Sequence, residues 1–197
     1  MTKTLYLMRH GQTLFNKRHR IQGWCDAPLT DLGVYQAQVA GQYFKNAGIT
    51  FDAAYSSTSE RACDTLEIVT NGSLPYQRVK GLKEWNFGTF EGESEDLNPP
   101  LPYEDFFVTY GGESQDQVRE RTAATILQLM QETKGKSVLM VSHGGAMANF
   151  ARAWEDNWRL DNLGHMTNCG ILKFSFEDDQ FYLEEAIGHD FSGWEEK

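Results

Sequence analysis

Basic charge and cysteine are both scarce in this 197-residue chain. Lys and Arg number 18 against 28 Asp and Glu, for a formal net charge of −10, which repels nucleic-acid phosphates and anionic membrane surfaces over the chain as a whole. Neither nucleic acid nor membrane is an expected partner. The three cysteines, Cys25, Cys63 and Cys169, are odd in number, scattered and without C-x-x-C spacing, which supports neither a disulfide framework nor a zinc site. They are expected to be reduced and structural. No stretch approaches the roughly 20 apolar residues of a membrane span. The opening Met1-Thr2-Lys3-Thr4-Leu5 lacks an apolar segment of signal-peptide length and a small-residue cleavage site, so a cytoplasmic location is expected. Internal repeats and low-complexity tracts are absent as well.

What remains reads as one domain over residues 1–197, with 40% apolar and 13% aromatic residues, ordinary for a globular fold. Thr4–Met8 is a short apolar run that stops at Arg9-His10-Gly11, the pattern of a buried strand ending in a polar loop. Thr30 is placed to cap a helix running to about Asn46, with Ala37, Ala40 and Phe44 on one face and Ala47-Gly48 at its end. A second strand around Ala53–Tyr55 leads through serines 56, 57 and 59, which could cap a helix carrying Arg61, Thr65, Ile68 and Val69. Ser114 and Gln117 form a capping-box pattern for a long helix with Val118, Thr122, Thr125, Ile126 and Leu129 as its apolar stripe, closed by Gly135.

Ser137–Ser142 is the strongest buried-strand signal, and it ends in His143-Gly144-Gly145 before a helix expected at about Ala146–Trp154. Ile171–Phe176 and Phe181–Leu183 flank Glu177-Asp178-Asp179-Gln180, a hairpin pattern. Strands alternating with helices argue for an α/β fold with a mostly parallel sheet and an antiparallel edge hairpin. At about 91–112 the pattern gives way to an acidic segment with Pro99, Pro100 and Pro102 and a short helix around Tyr103–Tyr110, a lid-like insertion.

In an open α/β sheet, ligands collect outside the carboxyl ends of the strands. Here those ends carry Arg9-His10-Gly11, the serine-rich turn before Arg61, and Ser142-His143-Gly144. Two histidines and two arginines converging without metal-ligand spacing suit the grip of a phosphoryl group. Imidazole is partly unprotonated at neutral pH and can attack phosphorus directly. Paired arginine N–H donors match the equatorial oxygens of the transferring group. One histidine after a strand is more often structural than nucleophilic, but two strand-end histidines with arginines are not what a structural role predicts. Lys17-Arg18-His19-Arg20 is the clearest basic cluster and could draw an anionic substrate to an acidic protein.

Arg9-His10-Gly11 is followed by Thr13, Asn16, Arg20, Gln22-Gly23, Asp26, Pro28-Leu29-Thr30, Gly33 and Gln36-Ala37. Further on stand Ser57 with Arg61-Ala62 and Thr65, then Leu82-Lys83-Glu84 with Gly88 and Glu91-Gly92, then His143-Gly144. These ordered motifs run through most of the chain, which resembles the histidine phosphatase superfamily. The resemblance implies a phosphoglycerate-mutase-like three-layer αβα sandwich. It implies His10 as nucleophile, Arg9, Arg61 and His143 as the phosphate pocket, and Glu84 as general acid to the leaving oxygen, then base toward water. Asn16, Thr13, Gln22, Gly23 and Gly144 follow as substrate-binding positions, with Trp85 or Phe87 partly desolvating Glu84. No metal or organic cofactor is expected.

Within the resemblance, a phosphatase is favoured over a mutase. The mutase branch carries a longer insertion with additional basic residues, whereas Gly92 to Asp105 contains no Arg or Lys. His143-Gly144-Gly145 also resembles the phosphatase branches rather than the His-Gly-Asn of mutases. The alternatives are a cofactor-dependent phosphoglycerate mutase and a non-catalytic phospho-ligand binder, the latter disfavoured because Arg9, His10, Arg61, Glu84 and His143 are all present. The expected partner is a small-molecule phosphate ester, and a homodimer is compatible with the sequence. Phe15, Trp24, Trp85, Phe106, Phe107 and Tyr110 are read either as contacts to an apolar or ring-bearing substrate or as packing.

Overall fold

A computed structural model describes residues 2–164 and 166–195. In chain order it contains β1 (Lys3–Arg9), α1 (Leu14–Lys17), α2 (Asp31–Asn46), β2 (Ala53–Ser56), α3 (Glu60–Val69), β3 (Gln77–Arg78), α4 (Gln115–Glu132), β4 (Ser137–Ser142), α5 (Gly144–Arg152), β5 (Ile171–Glu177) and β6 (Gln180–Ile187). The six strands form one sheet in the order β3-β2-β4-β1-β5-β6. Neighbours from β3 to β1 pair in parallel, while β5 runs antiparallel to both β1 and β6.

Alternation along the central strands sends side chains to two faces. Leu5, Leu7, Val138 and Met140 pack with Ile126 and Met130 of α4 and Met147 and Phe150 of α5. Tyr6, Met8, Leu139 and Val141 pack with Ala37, Ala40 and Phe44 of α2 and Ala62 and Leu66 of α3. The result is an αβα sandwich with the sheet as its middle layer. Among the described residues no helix is long and apolar enough to cross a membrane.

Several boundaries differ from the sequence reading. The helix expected from Ala146 begins at Gly144, with His143 as its N-cap residue, its two glycines, unfavourable in a helix interior, lying in the first turn, and it ends at Arg152 rather than Trp154. The long helix stops at Glu132 with Thr133 as its C-cap residue. Gly135 lies beyond it, where an added Cβ would come within 2.3 Å of the Asp52 Cβ. Ser59 occupies the N-cap position of α3 but makes no side-chain cap bond; the Glu60 N–H, at the first position of the helix, donates to Asp26 Oδ2 at 2.5 Å. The short helix near Tyr103 is a 3-10 turn over Phe106–Tyr110.

Register then sets the site. Arg9 pairs with Ser142 across β1 and β4, so the next residues of each strand, His10 and His143, emerge side by side with ring centroids 5.2 Å apart. Ser56 pairs with Val141, which brings the serine turn and α3 alongside them.

Candidate active site

The backbone at Arg9-His10-Gly11 is held from both sides. The His10 N–H donates to the Ser142 carbonyl at 3.1 Å, and the Gly11 N–H to Thr65 Oγ1 at 3.0 Å. An added Cβ on Gly11 would sit 2.5 Å from the Gly33 carbonyl oxygen, and one on Gly33 2.0 Å from the Gln12 oxygen. The two glycines let the motif loop lie directly on α2, a close backbone approach that a side chain forbids.

His10 is 4% exposed. Its Nδ1 lies 2.7 Å from the Gly11 carbonyl oxygen, an acceptor, so Nδ1 carries the proton and Nε2 keeps its lone pair. Arg61 Nε donates to that Nε2 at 3.3 Å. Burial, then the charges of Arg61 and Arg9, lower the His10 pKa well below its usual value of 6.5, so the ring is neutral at neutral pH.

Arg61 is fully buried. Its Nη1 donates to the Cys25 carbonyl at 3.0 Å and Asp26 Oδ1 at 2.8 Å, and its Nη2 to the Gly23 carbonyl at 2.8 Å. Arg9 donates through Nη1 to the Met166 carbonyl at 2.6 Å, while its buried Nε has no protein partner among the described residues. His143, also fully buried, has Nε2 at 2.7 Å from Ser57 Oγ and a Nδ1 without a partner among the described residues. Burial and the neighbouring Arg61, His10 and Arg9 lower its pKa well below 6.5. Two arginines and two neutral imidazoles therefore meet in one place; Asp26 pairs with Arg61, while Arg9, hydrogen-bonded to a carbonyl, leaves positive charge for an anion to neutralise.

Glu84 is 8% exposed. Its carboxylate accepts the Gly145 N–H at 2.9 Å, the Ala146 N–H at 2.7 Å and the Trp85 N–H at 2.8 Å. Two of those donors belong to the first turn of α5, where N–H groups have no partner inside the helix. A Cβ on Gly145 would meet Glu84 Oε1 at 2.7 Å, so glycine there makes room for the carboxylate.

A cavity of about 620 Å³ opens over this floor, lined by Arg9, His10, Asn16, Gln22, Glu84, Gly144 and Gly145 together with Arg20 and Arg152. The 91–112 segment contributes Glu95, Asn98, Leu101, Pro102 and Tyr103 to its wall. Of the basic cluster, Arg20 lines the cavity and His19 lies 3.4 Å from Glu95. Trp85, Phe87 and Tyr103 line it too. Phe107 is wholly buried against Trp85 and Val118, whereas Phe106 and Tyr110 pack against Phe90 and are partly exposed.

Two expected substrate contacts take other positions. Thr13 is fully buried, with Oγ1 2.6 Å from Gln22 Oε1 and 3.1 Å from Asn16 Oδ1, so it braces the two amides that line the cavity. Gly23 meets Arg61 through its carbonyl, and a Cβ there would come within 2.4 Å of Glu91 Oε1 and the Trp85 carbonyl oxygen. Sequence reasoning missed Asn168, whose Nδ2 donates to the His10 carbonyl at 3.0 Å and Asn16 Oδ1 at 3.4 Å. It also missed Arg152, about two turns along α5 from Gly145, and Arg121; nothing in a strand-end motif signals any of the three.

The sheet order and the two paired strand-end histidines define a phosphoglycerate-mutase-like α/β protein. The structure superposes on a phosphoglycerate mutase from Bacillus anthracis with a TM-score of 0.82 and 28% identity, covering 95% of this chain and 93% of that one. A phosphoserine phosphatase from Entamoeba histolytica, solved in complex with 3-phosphoglyceric acid, gives 0.76 with 28% identity over 96% of this chain and 98% of that one. Residues 5–187 match the model of the histidine phosphatase superfamily (branch 1), and the chain belongs to that family. A 2,3-bisphosphoglycerate-dependent phosphoglycerate mutase from Allorhizobium ampelinum is 31% identical over 219 residues, spanning 98% of this chain and 99% of that protein.

Proposed function

We propose that the chain is a cytoplasmic, metal-independent phosphomonoester hydrolase working through a phosphohistidine on His10. The observation that carries this reading is the fixed tautomer of His10: Nδ1–H is tied to the Gly11 carbonyl, and the Nε2 lone pair is neutral, buried and beside Arg61. Nε2 attacks phosphorus and the ester oxygen leaves, forming an N–P bond as the P–O bond breaks. Arg9 and Arg61 stabilise the charge on the transferring oxygens.

Ser57 Oγ already accepts the Ser59 N–H at 3.1 Å. Donation of its hydroxyl hydrogen to His143 Nε2 puts the His143 proton on Nδ1, as a further donor to the phosphoryl group. Asn16 and Gln22 hold other oxygens through their amide N–H groups. Glu84 gives its proton to the leaving oxygen and then takes one from the water that cleaves phospho-His10, a reversal of role across two steps. In this reading residues 1–197 form a single domain and the 91–112 segment is the lid of its cavity. Unpaired cysteines at 25, 63 and 169 fit a reducing compartment.

Hydrolysis is favoured over isomerisation by the lid side of the cavity, where Glu95, Leu101, Pro102 and Tyr103 offer no cation. The mutase reading draws on Arg20 and Arg152, which line the same cavity and match a second anionic group on the substrate. A panel of p-nitrophenyl phosphate, phosphoserine and 3-phosphoglycerate, followed for free phosphate and for isomerised product with and without a chelator, separates them. Release of phosphate without isomerisation, unaffected by the chelator, is the expected result. Efficient isomerisation of 3-phosphoglycerate would overturn it, and phosphate binding without turnover would make the chain a binder.

A further inference from the structure

Glu84 lies on a stretch with no strand or helix to satisfy its backbone, between a 3-10 turn over Lys80–Leu82 and another over Gly88–Phe90. Buried backbone oxygens there need donors from elsewhere. Four consecutive carbonyls find them in side chains. Arg121 Nη1 donates to the oxygens of Gly81 and Lys83, each at 2.9 Å, and its Nη2 to that of Glu84 at 3.1 Å. Ser142 Oγ donates to the Leu82 oxygen at 2.8 Å, and Trp24 Nε1 to the Glu84 oxygen at 2.9 Å.

Arg121 completes its set on Glu113, with Nε to Oε1 at 2.7 Å and Nη2 to Oε2 at 2.8 Å. All five guanidinium N–H bonds are thereby used. Glu113 in turn takes the other flank of Glu84: its Oε2 accepts the Asn86 N–H at 3.0 Å and its carbonyl the Trp85 indole N–H at 2.7 Å. Gly81 allows the approach, since a Cβ there would fall 2.1 Å from Thr125 Oγ1, one turn beyond Arg121 on α4. One ion pair, its side chains 19% and 17% exposed, thus grips the backbone on both sides of the Glu84 residue without touching the cavity.

We propose that Arg121 and Glu113 are positioning residues that hold the Glu84 carboxyl in reach of the leaving oxygen. The inference rests on Glu84 as the acid of the proposed reaction. Lysine keeps the charge at position 121 but has three donors on one nitrogen and cannot reproduce five bonds spread over a planar fork. Misplacing an acid slows esters whose leaving group needs a proton and spares those whose leaving group does not.

The test measures kcat/KM, which reports phosphoryl transfer to His10, for R121K and E113Q on p-nitrophenyl phosphate and on an alkyl phosphate. E84Q is run in parallel, with the inhibition constant of inorganic phosphate as a readout of the histidine-arginine floor. Both positioning variants are expected to lose about tenfold or more on the alkyl ester and less than about threefold on the nitrophenyl ester, with phosphate inhibition unchanged. Equal loss on both esters, or no loss on either, would overturn the positioning role. Should R121K fail to fold, E113Q, which keeps the side-chain shape, decides. If E84Q itself shows no dependence on the leaving group, the acid role of Glu84 fails; if E84Q shows it and the positioning variants do not, the clamp alone fails.

Discussion

Nε2 of His10 lies 3.3 Å from Nε of Arg61, at the outer edge of a ring whose other nitrogen is tied to its neighbour's carbonyl. The contact gives Arg61 two effects: it offers a donor at the point where phosphorus must arrive, and its charge opposes protonation of the nucleophile, second only to burial. The unprotonated ring attacks, so activity should persist on the acid side past the ordinary imidazole value of 6.5 before it is lost. R61Q should lower kcat/KM by about a hundredfold or more and move the residual acid limb upward toward that value. A pH profile of kcat/KM for wild type and variant checks both; an unmoved limb would remove Arg61 from control of the His10 proton.

Stability should follow the same two rings. His10 and His143 both have folded pKa values well below 6.5, so between the folded value and 6.5 the unfolded chain binds protons that the folded chain refuses. Stability is then full above about pH 6.5 and falls as pH drops, by at most about 1.4 kcal/mol per pH unit for each ring. Urea unfolding between pH 7.5 and about 5.5 should show this slope, reduced in H10N and again in H10N/H143N. Identical slopes in all three proteins would show that neither ring is buried uncharged.

The Gly11–Gly33 approach predicts a stability cost with a catalytic signature. A methyl on Gly33 would meet the Gln12 backbone at 2.0 Å, and backbone cannot swing aside as a side chain can. G33A should destabilise by about 1–3 kcal/mol and lower kcat, because the displaced loop carries His10. Differential scanning calorimetry with steady-state kinetics tests it, and a fully active, fully stable G33A would show that the loop has slack.

Gly145 behaves differently because the atom an added Cβ meets is the end of the Glu84 side chain, at 2.7 Å. The carboxylate, unlike a backbone, can move. G145A should therefore cost about 1–2 kcal/mol, as the buried carboxylate gives up part of its backbone hydrogen bonds, while lowering kcat/KM on alkyl phosphates more than on p-nitrophenyl phosphate. Unchanged selectivity between the two esters would mean that Glu84 works from another position.

The parts of this site legible in the sequence were those carried by strand ends. The apolar run 4–8 leads through Arg9 to His10 and the run 137–142 directly to His143, and parallel pairing of Arg9 with Ser142 is enough to set those histidines together. Thr13 illustrates the limit: read as a substrate contact, it is wholly buried as the N-cap residue of α1, in a capping box with Asn16 and hydrogen-bonded to Gln22. Ser59 stood where a helix cap belongs, yet its side chain makes no cap bond, and the first N–H of the helix, that of Glu60, goes to Asp26 from a distant loop. Arg121 and Asn168 were invisible for the same reason: each acts on backbone carbonyls far along the chain, and a carbonyl has no residue-type signature.

The most direct measurement is rapid-quench mass spectrometry of the enzyme mixed with a phosphate ester under single-turnover conditions. A transient phosphoryl group on His10, formed before free phosphate is released and absent from H10A along with turnover, is the result predicted. Phosphate release with no phosphorylated His10 at any time, or turnover retained in H10A, would contradict nucleophilic attack by this histidine.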